Sequence, residues 1–163
     1  AQTASYVLNA VSSSYATTAS YSLSSLSSSY AQTASYALNT PIPYGVLSGS
    51  FGITIDGAGT VITTGEKGYL TIPYAGTITG WNIIGNASGN CVIDVWNTAG
   101  SIPTVANTIT GTEKPTLSSQ QINSDTSLTT WTTSVAAGDV FAFNVDSATT
   151  ITRVNLSIYI TKQ

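Results

Sequence analysis

Three copies of Thr-Ala-Ser-Tyr, at residues 3–6, 18–21 and 33–36, stand 15 residues apart at the start of the chain. Leu8, Leu23 and Leu38 each follow by two positions. Val11 matches Leu26, and Ser13-Ser14-Tyr15-Ala16 matches Ser28-Ser29-Tyr30-Ala31. A period this strict describes a rod. One copy cannot bury its own apolar side chains, so it must stack on its neighbours or on other chains.

Two templates fit the repeat. In a helical template Ala4, Leu8, Val11, Tyr15, Ala19, Leu23, Leu26, Tyr30, Ala34 and Leu38 form one narrow stripe, a trimer seam with spacings of 4, 3, 4 and 4. That is about 3.75 residues per turn against about 3.6 for a straight helix, which makes a bundle coil right-handed. Ser, Thr, Tyr and Asn are middling helix formers, and Tyr6, Tyr21 and Tyr36 point away from the seam. In an extended template Ala4, Tyr6 and Leu8 share one face, with Thr3, Ser5 and Val7 on the other. A β-fibrous shaft needs tight turns, which Gly or Pro normally makes, and residues 1–40 contain neither. Ser-rich segments can also stay flexible, but the strict Leu, Val and Tyr placement argues against that. The pattern favours a right-handed trimeric coiled coil, with a β-fibrous shaft as the alternative. Either form needs several chains, and three is the usual number in fibres.

All 14 Gly and all five Pro come after residue 40. Thr40-Pro41-Ile42-Pro43-Tyr44-Gly45 is therefore a stiff boundary. It divides a shaft (1–40) and a Pro-rich connector (41–47) from a head (48–163). Charged residues make up 7% of the chain, against about 25% in ordinary domains. The first charge is Asp56. Lys67, Lys114, Arg153 and Lys162 are scattered, so no basic patch tracks phosphates and nucleic-acid binding is not expected. No run of about 18 apolar residues supports membrane insertion. Without Met anywhere, the chain is expected to be a processed product or an excised piece. Cys91 is alone, and there is no His, which removes His-based triads and the commonest metal ligand.

The head reads as all-β, with short alternating runs between Gly, Asn, Asp and Ser. Expected strands are 49–55, 68–72, 77–84, 91–96, 128–134, 140–145 and 150–160, the content of a β-sandwich of jelly-roll type. Residues 97–126 read as a long surface excursion. Alternation puts Cys91, Ile93 and Val95 inward, with Asp94 and Trp96 together on the opposite face. It also puts Phe141, Phe143 and Val145 inward, and Val154, Leu156, Ile158 and Ile160 inward. Arg153, Asn155, Ser157 and Tyr159 then face out.

Aromatic rings beside carboxylates and amides suit sugars, which makes Asp94 and Trp96 candidate ligand-binding residues. Asn123 and Asp125, in a polar stretch, are the other two. The competing reading buries the Asp94–Trp96 face under the excursion or a subunit. Trp81 and Trp131 read as core or interface. Asp94, Asp125, Asp139 and Asp146 are the acids from which a glycosidase pair would come. Asp139 and Asp146 sit in turns, where Asp serves the backbone. Asp56-Gly57-Ala58-Gly59 supplies one carboxylate, too few for calcium. No enzyme activity, metal or cofactor is expected.

Several blocks carry a resemblance. They are Ala75-Gly76-Thr77-Ile78-Thr79-Gly80-Trp81, Val92-Ile93-Asp94-Val95-Trp96, Ile109-Thr110-Gly111-Thr112-Glu113-Lys114-Pro115-Thr116-Leu117-Ser118-Ser119, Thr130-Trp131-Thr132-Thr133-Ser134-Val135-Ala136-Ala137-Gly138-Asp139-Val140 and Phe143-Asn144-Val145-Asp146-Ser147-Ala148-Thr149-Thr150-Ile151-Thr152-Arg153. Together they resemble the carboxy-terminal domain of bacteriophage tail-fibre and minor structural proteins. The Ala-Ser-Tyr repeat is similar to shaft segments of viral structural proteins. The resemblance implies a homotrimeric virion fibre with a terminal β head, attaching to a host surface glycan or protein. It supplies no binding residues. A particle decoration protein without a host ligand, or a bacterial surface adhesin, are the alternatives.

Overall fold

The structure is a computed structural model that describes residues 47–163. Among these residues, seven strands form one antiparallel sheet. They are β1 (Ser48–Asp56), β2 (Gly65–Thr71), β3 (Gly76–Ala99), β4 (Thr116–Asp125), β5 (Ser134–Val135), β6 (Asp139–Thr149) and β7 (Arg153–Lys162). Among the described residues the only helical element is a 3-10 turn, Val105–Asn107.

β3 organises the sheet. It is 24 residues long. β6 and β7 lie end to end along one side of it, β6 on residues 90–99 and β7 on residues 76–85. β4 borders the other side and pairs with both halves. β1 extends the β7 half and β2 extends the β6 half, which gives the order β1-β7-β3-β6-β2. β5 pairs with the start of β3.

Three neighbouring strands bend at one level. In β3 the ladder to β4 slips between Ile84 and Gly89. In β4, Ser119 has a positive φ of 53°, and between β6 and β7 Thr150 has a φ of 74°. Two asparagines replace the interrupted ladder. Asn86 Oδ1 accepts the N–H groups of Thr152 (3.1 Å) and Arg153 (2.9 Å), and its Nδ2 donates to Thr152 Oγ1 at 2.9 Å. Asn90 Oδ1 accepts the Ser119 N–H at 2.9 Å, and its Nδ2 donates to Thr149 Oγ1 at 3.0 Å. Ile151 fills the inside of the crease and is fully buried. It leaves no room for a side chain at Gly89, whose Cβ would stand 2.7 Å from the Thr149 carbonyl and 2.9 Å from Ile151 Cγ1.

The crease folds the sheet over itself. Phe51 of β1 meets Phe141 of β6 with ring centroids 4.7 Å apart. Ile53 Cδ1 lies 3.2 Å from where a Gly68 Cβ would stand, so the first and last strands of the order approach each other. The core lies between the two halves. One half contributes Ile83, Val154, Leu156 and Ile158, and the other Ile93, Val95, Phe141, Phe143 and Val145, all fully buried. Each such side chain stabilises the fold by about 1.5–3 kcal/mol through burial. The inward faces read from alternation are these buried ones.

The fold class expected from the sequence, a trimeric coiled-coil shaft followed by a β-sandwich or jelly-roll head, is corrected to an all-β architecture of one curled antiparallel sheet. No α-helix occurs among the described residues, and the seam positions from Ala4 to Leu38, the β-shaft alternative and the 1–40 boundary lie outside them. The two layers are not separate sheets, because the stretch between expected strands 77–84 and 91–96 is a crease within one strand. Residues 128–134 form no strand until Ser134, and 97–126 is not simply an excursion, since it contains β4.

Thr150 carries the strain of the crease. A β-branched residue at positive φ costs about 1–3 kcal/mol. Thr150→Gly is therefore expected to raise stability by about 1 kcal/mol, after the extra entropy of Gly in the unfolded chain. A lowered urea midpoint would show that the Thr150 side chain supports the bend.

Candidate functional site

The outer face of the β2-β6-β3 half gathers most of the chemistry. Register places Tyr69, Ala142 and Trp96 in one row, and Glu66, Asn144 and Asp94 in the next. Trp96 continues its row by an isolated bridge to Thr108. The 3-10 turn packs back on β3, and Trp96 is left 9% exposed.

Asp94 is the centre of this face, 1% exposed. Its Oδ1 accepts hydroxyls from Thr108 at 2.6 Å and Thr110 at 2.7 Å. Its Oδ2 lies 3.1 Å from Lys114 Nζ, which also contacts Asp146 Oδ2 at 2.7 Å. Asn144 Nδ2 donates to the other Asp146 oxygen at 2.7 Å. Burial alone raises the Asp94 pKa. The hydroxyls of Thr108 and Thr110, the Trp96 indole and the Lys114 ammonium outweigh it and hold the carboxyl below its ordinary value. The Trp96 indole N–H is buried and completes no hydrogen bond. Hydrogen bonding to Asp146 is the main reason that the Lys114 pKa is raised. Lys114 thus stands between two carboxylates, Asp94 and Asp146. The cluster clasps residues 108–114 to the sheet.

Next to the clasp the face opens. Tyr69 is 50% exposed, and its hydroxyl donates to the Glu66 carboxylate, which raises the tyrosine pKa. An aromatic ring thus stands beside a carboxylate on the sheet, with the Asn144 amide opposite that carboxylate on the next strand. A second clasp ties the neighbouring loops. The Glu113 carboxylate accepts the Thr129 hydroxyl and the Thr130 N–H, which hold its pKa below the usual range. The Trp131 indole donates to the Glu113 carbonyl at 2.9 Å.

The structure brings Asp94 and Trp96 together on one face. It does not bring Asn123 and Asp125 to them. Those two pair with Ile83 and Trp81, on the other half of the crease. Asn123 donates to the Thr116 carbonyl at 2.8 Å, and Asp125 accepts the Ser127 N–H at 2.8 Å. Trp81 and Trp131 are buried in the core. Sequence reasoning missed Glu66, Tyr69, Lys114 and Asn144. The Gly68-Tyr69-Leu70 alternation was a usable signal for Tyr69; the Lys114 contacts are non-local and left none.

No family model matches the chain, and no curated protein does either. Among solved structures, one that is similar is the cleaved adhesin domain of Lys-gingipain from Porphyromonas gingivalis. It is 16% identical over 69% of this chain and 71% of that one, with a TM-score of 0.35. Another is infectious bursal disease virus, Gx strain, at 10% identity over 71% of this chain and 33% of that one, with a TM-score of 0.18. Scores this low do not establish a shared fold, and the functional reading rests on the chain's own residues.

Proposed function

We propose that the chain is a non-enzymatic attachment protein: a homotrimeric viral fibre whose β head binds a host surface glycan or protein. The observation that carries the reading is Tyr69, half-exposed on β2 with its hydroxyl on Glu66 and Asn144 one register row away. Sugars stack on such rings while carboxylates and amides take their hydroxyls. The tail-fibre resemblance and the charge-poor, hydroxyl-rich composition support the same reading. Both oxygens of Asp94 are taken by Thr108, Thr110 and Lys114, so the proposal gives this carboxylate a structural role and not one in glycoside hydrolysis. Three heads on one fibre turn weak single sites into tight attachment through effective concentration.

The test is a glycan array and a host-cell adsorption assay with the full chain. Tyr69→Ala is expected to weaken binding about tenfold, with the unfolding free energy changed by less than about 0.5 kcal/mol, as for an exposed site. No array hit, together with particle adsorption that added protein does not compete, would overturn the proposal.

A further inference from the structure

We infer that the outer face of the other half of the sheet, made by β1, β7, the first half of β3 and the end of β4, is where copies of this chain meet. The register gives its rows: Ser50–Tyr159–Gly80, then Gly52–Ser157–Asn82–Ser124, then Thr54–Asn155–Ile84–Ile122. None of these residues is charged. The row beyond them is Asp56–Arg153, an ion pair at 2.8 Å that closes the end of the face with no net charge. The charges of the clasp, and Glu66, lie on the opposite half.

This neutral face also exposes large apolar groups. Ile84 and Ile122 are direct cross-strand partners, 43% and 59% exposed, and Tyr159 is 36% exposed. Two isoleucines side by side in water gain from being covered. Loss of charge with retained aliphatic and aromatic groups marks the centre of protein interfaces. A neutral face also brings no like charges together when copies of the chain meet on it.

The path of the chain points to the same occupant. The repeat of residues 1–40 cannot bury its apolar side chains alone. It reaches the head at Leu47, whose carbonyl accepts the Lys162 N–H at 2.8 Å. From there it runs straight into β1, the edge strand of this half. A second copy of this chain is therefore the occupant that both the repeat, which needs other chains, and the uncharged face call for. The inference rests on the homo-oligomeric part of the proposed function and adds the surface.

Sedimentation equilibrium and hydroxyl-radical footprinting of the full chain test it. The wild type is expected to be oligomeric, with Tyr159 protected. Ile84→Asp with Ile122→Asp, both at exposed positions, should restore Tyr159 labelling and weaken self-association at least about 30-fold. Val105→Asp, an exposed apolar control on the 3-10 turn, should do neither. Ser124→Cys should form disulfide-linked copies, Cys91 being buried. An oligomer with Tyr159 fully labelled and no Ser124→Cys linkage would overturn the surface and leave the oligomer standing. A monomer would overturn both. Protection of Tyr159 that appears only on adding a glycan mixture would hand the face to a sugar and also overturn the inference.

Discussion

Gly52→Ala is expected to cost about 3 kcal/mol or more of stability and to strip β1 from the sheet. A Cβ at this position would stand 1.9 Å from the Leu156 carbonyl oxygen and 3.0 Å from Ser157 Cα. Both are backbone, so neither can swing aside. β7 is also unable to retreat, because Val154, Leu156 and Ile158 are fully buried. The strain therefore falls on β1, whose Phe51 and Ile53 are only partly buried. Losing β1 breaks the Phe51–Phe141 contact and uncovers the edge of β7. Hydrogen exchange should show β1 amides opening first while β3 and β6 stay protected, and the urea midpoint should fall. Gly49→Ala, three residues earlier, is the contrast. Its Cβ would meet Lys162 Cε at 3.0 Å, the far part of a flexible side chain that can move, so the cost should stay within about 0.5 kcal/mol. Equal costs at the two positions would mean that the β1–β7 register is wrong.

What the sequence displayed of this fold was local. Period-two alternation exposed the inward faces of 91–95, 141–145 and 154–160, because each strand carries its facing in its own residues. Gly85-Asn86-Ala87-Ser88-Gly89-Asn90 misled because a crease and a chain-reversing turn need the same residues. Both want Gly where there is no room for a Cβ, and Asn where a side chain must stand in for backbone partners. What distinguishes them is the continuation of β6 into β7 along β3, some 60 residues away. β4 was missed for a different reason. Thr-Leu-Ser-Ser-Gln-Gln-Ile-Asn-Ser-Asp lacks alternation, and the strand forms because β3 offers a free edge. Residues 128–134 misled in reverse. Their Leu, Thr and Trp read as a strand, yet Trp131 is buried from a bend with its indole bonded to Glu113. At the candidate site, the shared face of Asp94 and Trp96 was legible. The choice of cover was not, since it depends on Thr108, Thr110 and Lys114 returning to that face.

That cover makes Lys114 the second position with a large expected effect. Lys114→Ala leaves the buried Asp94 carboxylate with two hydroxyl donors and no cation within reach. An uncompensated buried charge costs about 3–5 kcal/mol. The two remaining hydroxyls and the partial exposure of Lys114 reduce this to about 2 kcal/mol at pH 7. The pH dependence follows from the lowered pKa. Asp94 titrates in the folded state below its ordinary value, so it binds protons less readily folded than unfolded. Its contribution is complete above about pH 4, where the unfolded carboxyl is ionised. It is lost as pH falls through the folded value. Lys114, with a raised pKa, contributes below about pH 10 and is lost as pH rises through its folded value. Urea titrations from pH 3 to pH 8 should show the penalty of Lys114→Ala largest near neutrality and shrinking in acid, where Asp94 becomes neutral in the variant. Asp94→Asn combined with Lys114→Met removes both charges, so it should be less destabilised than Lys114→Ala alone. In Lys114→Ala the amides of residues 108–113 should exchange faster, because the excursion has lost its clasp. A penalty that is the same at every pH would mean that Lys114 acts by packing its aliphatic stem over the sheet and not as the counter-charge of Asp94.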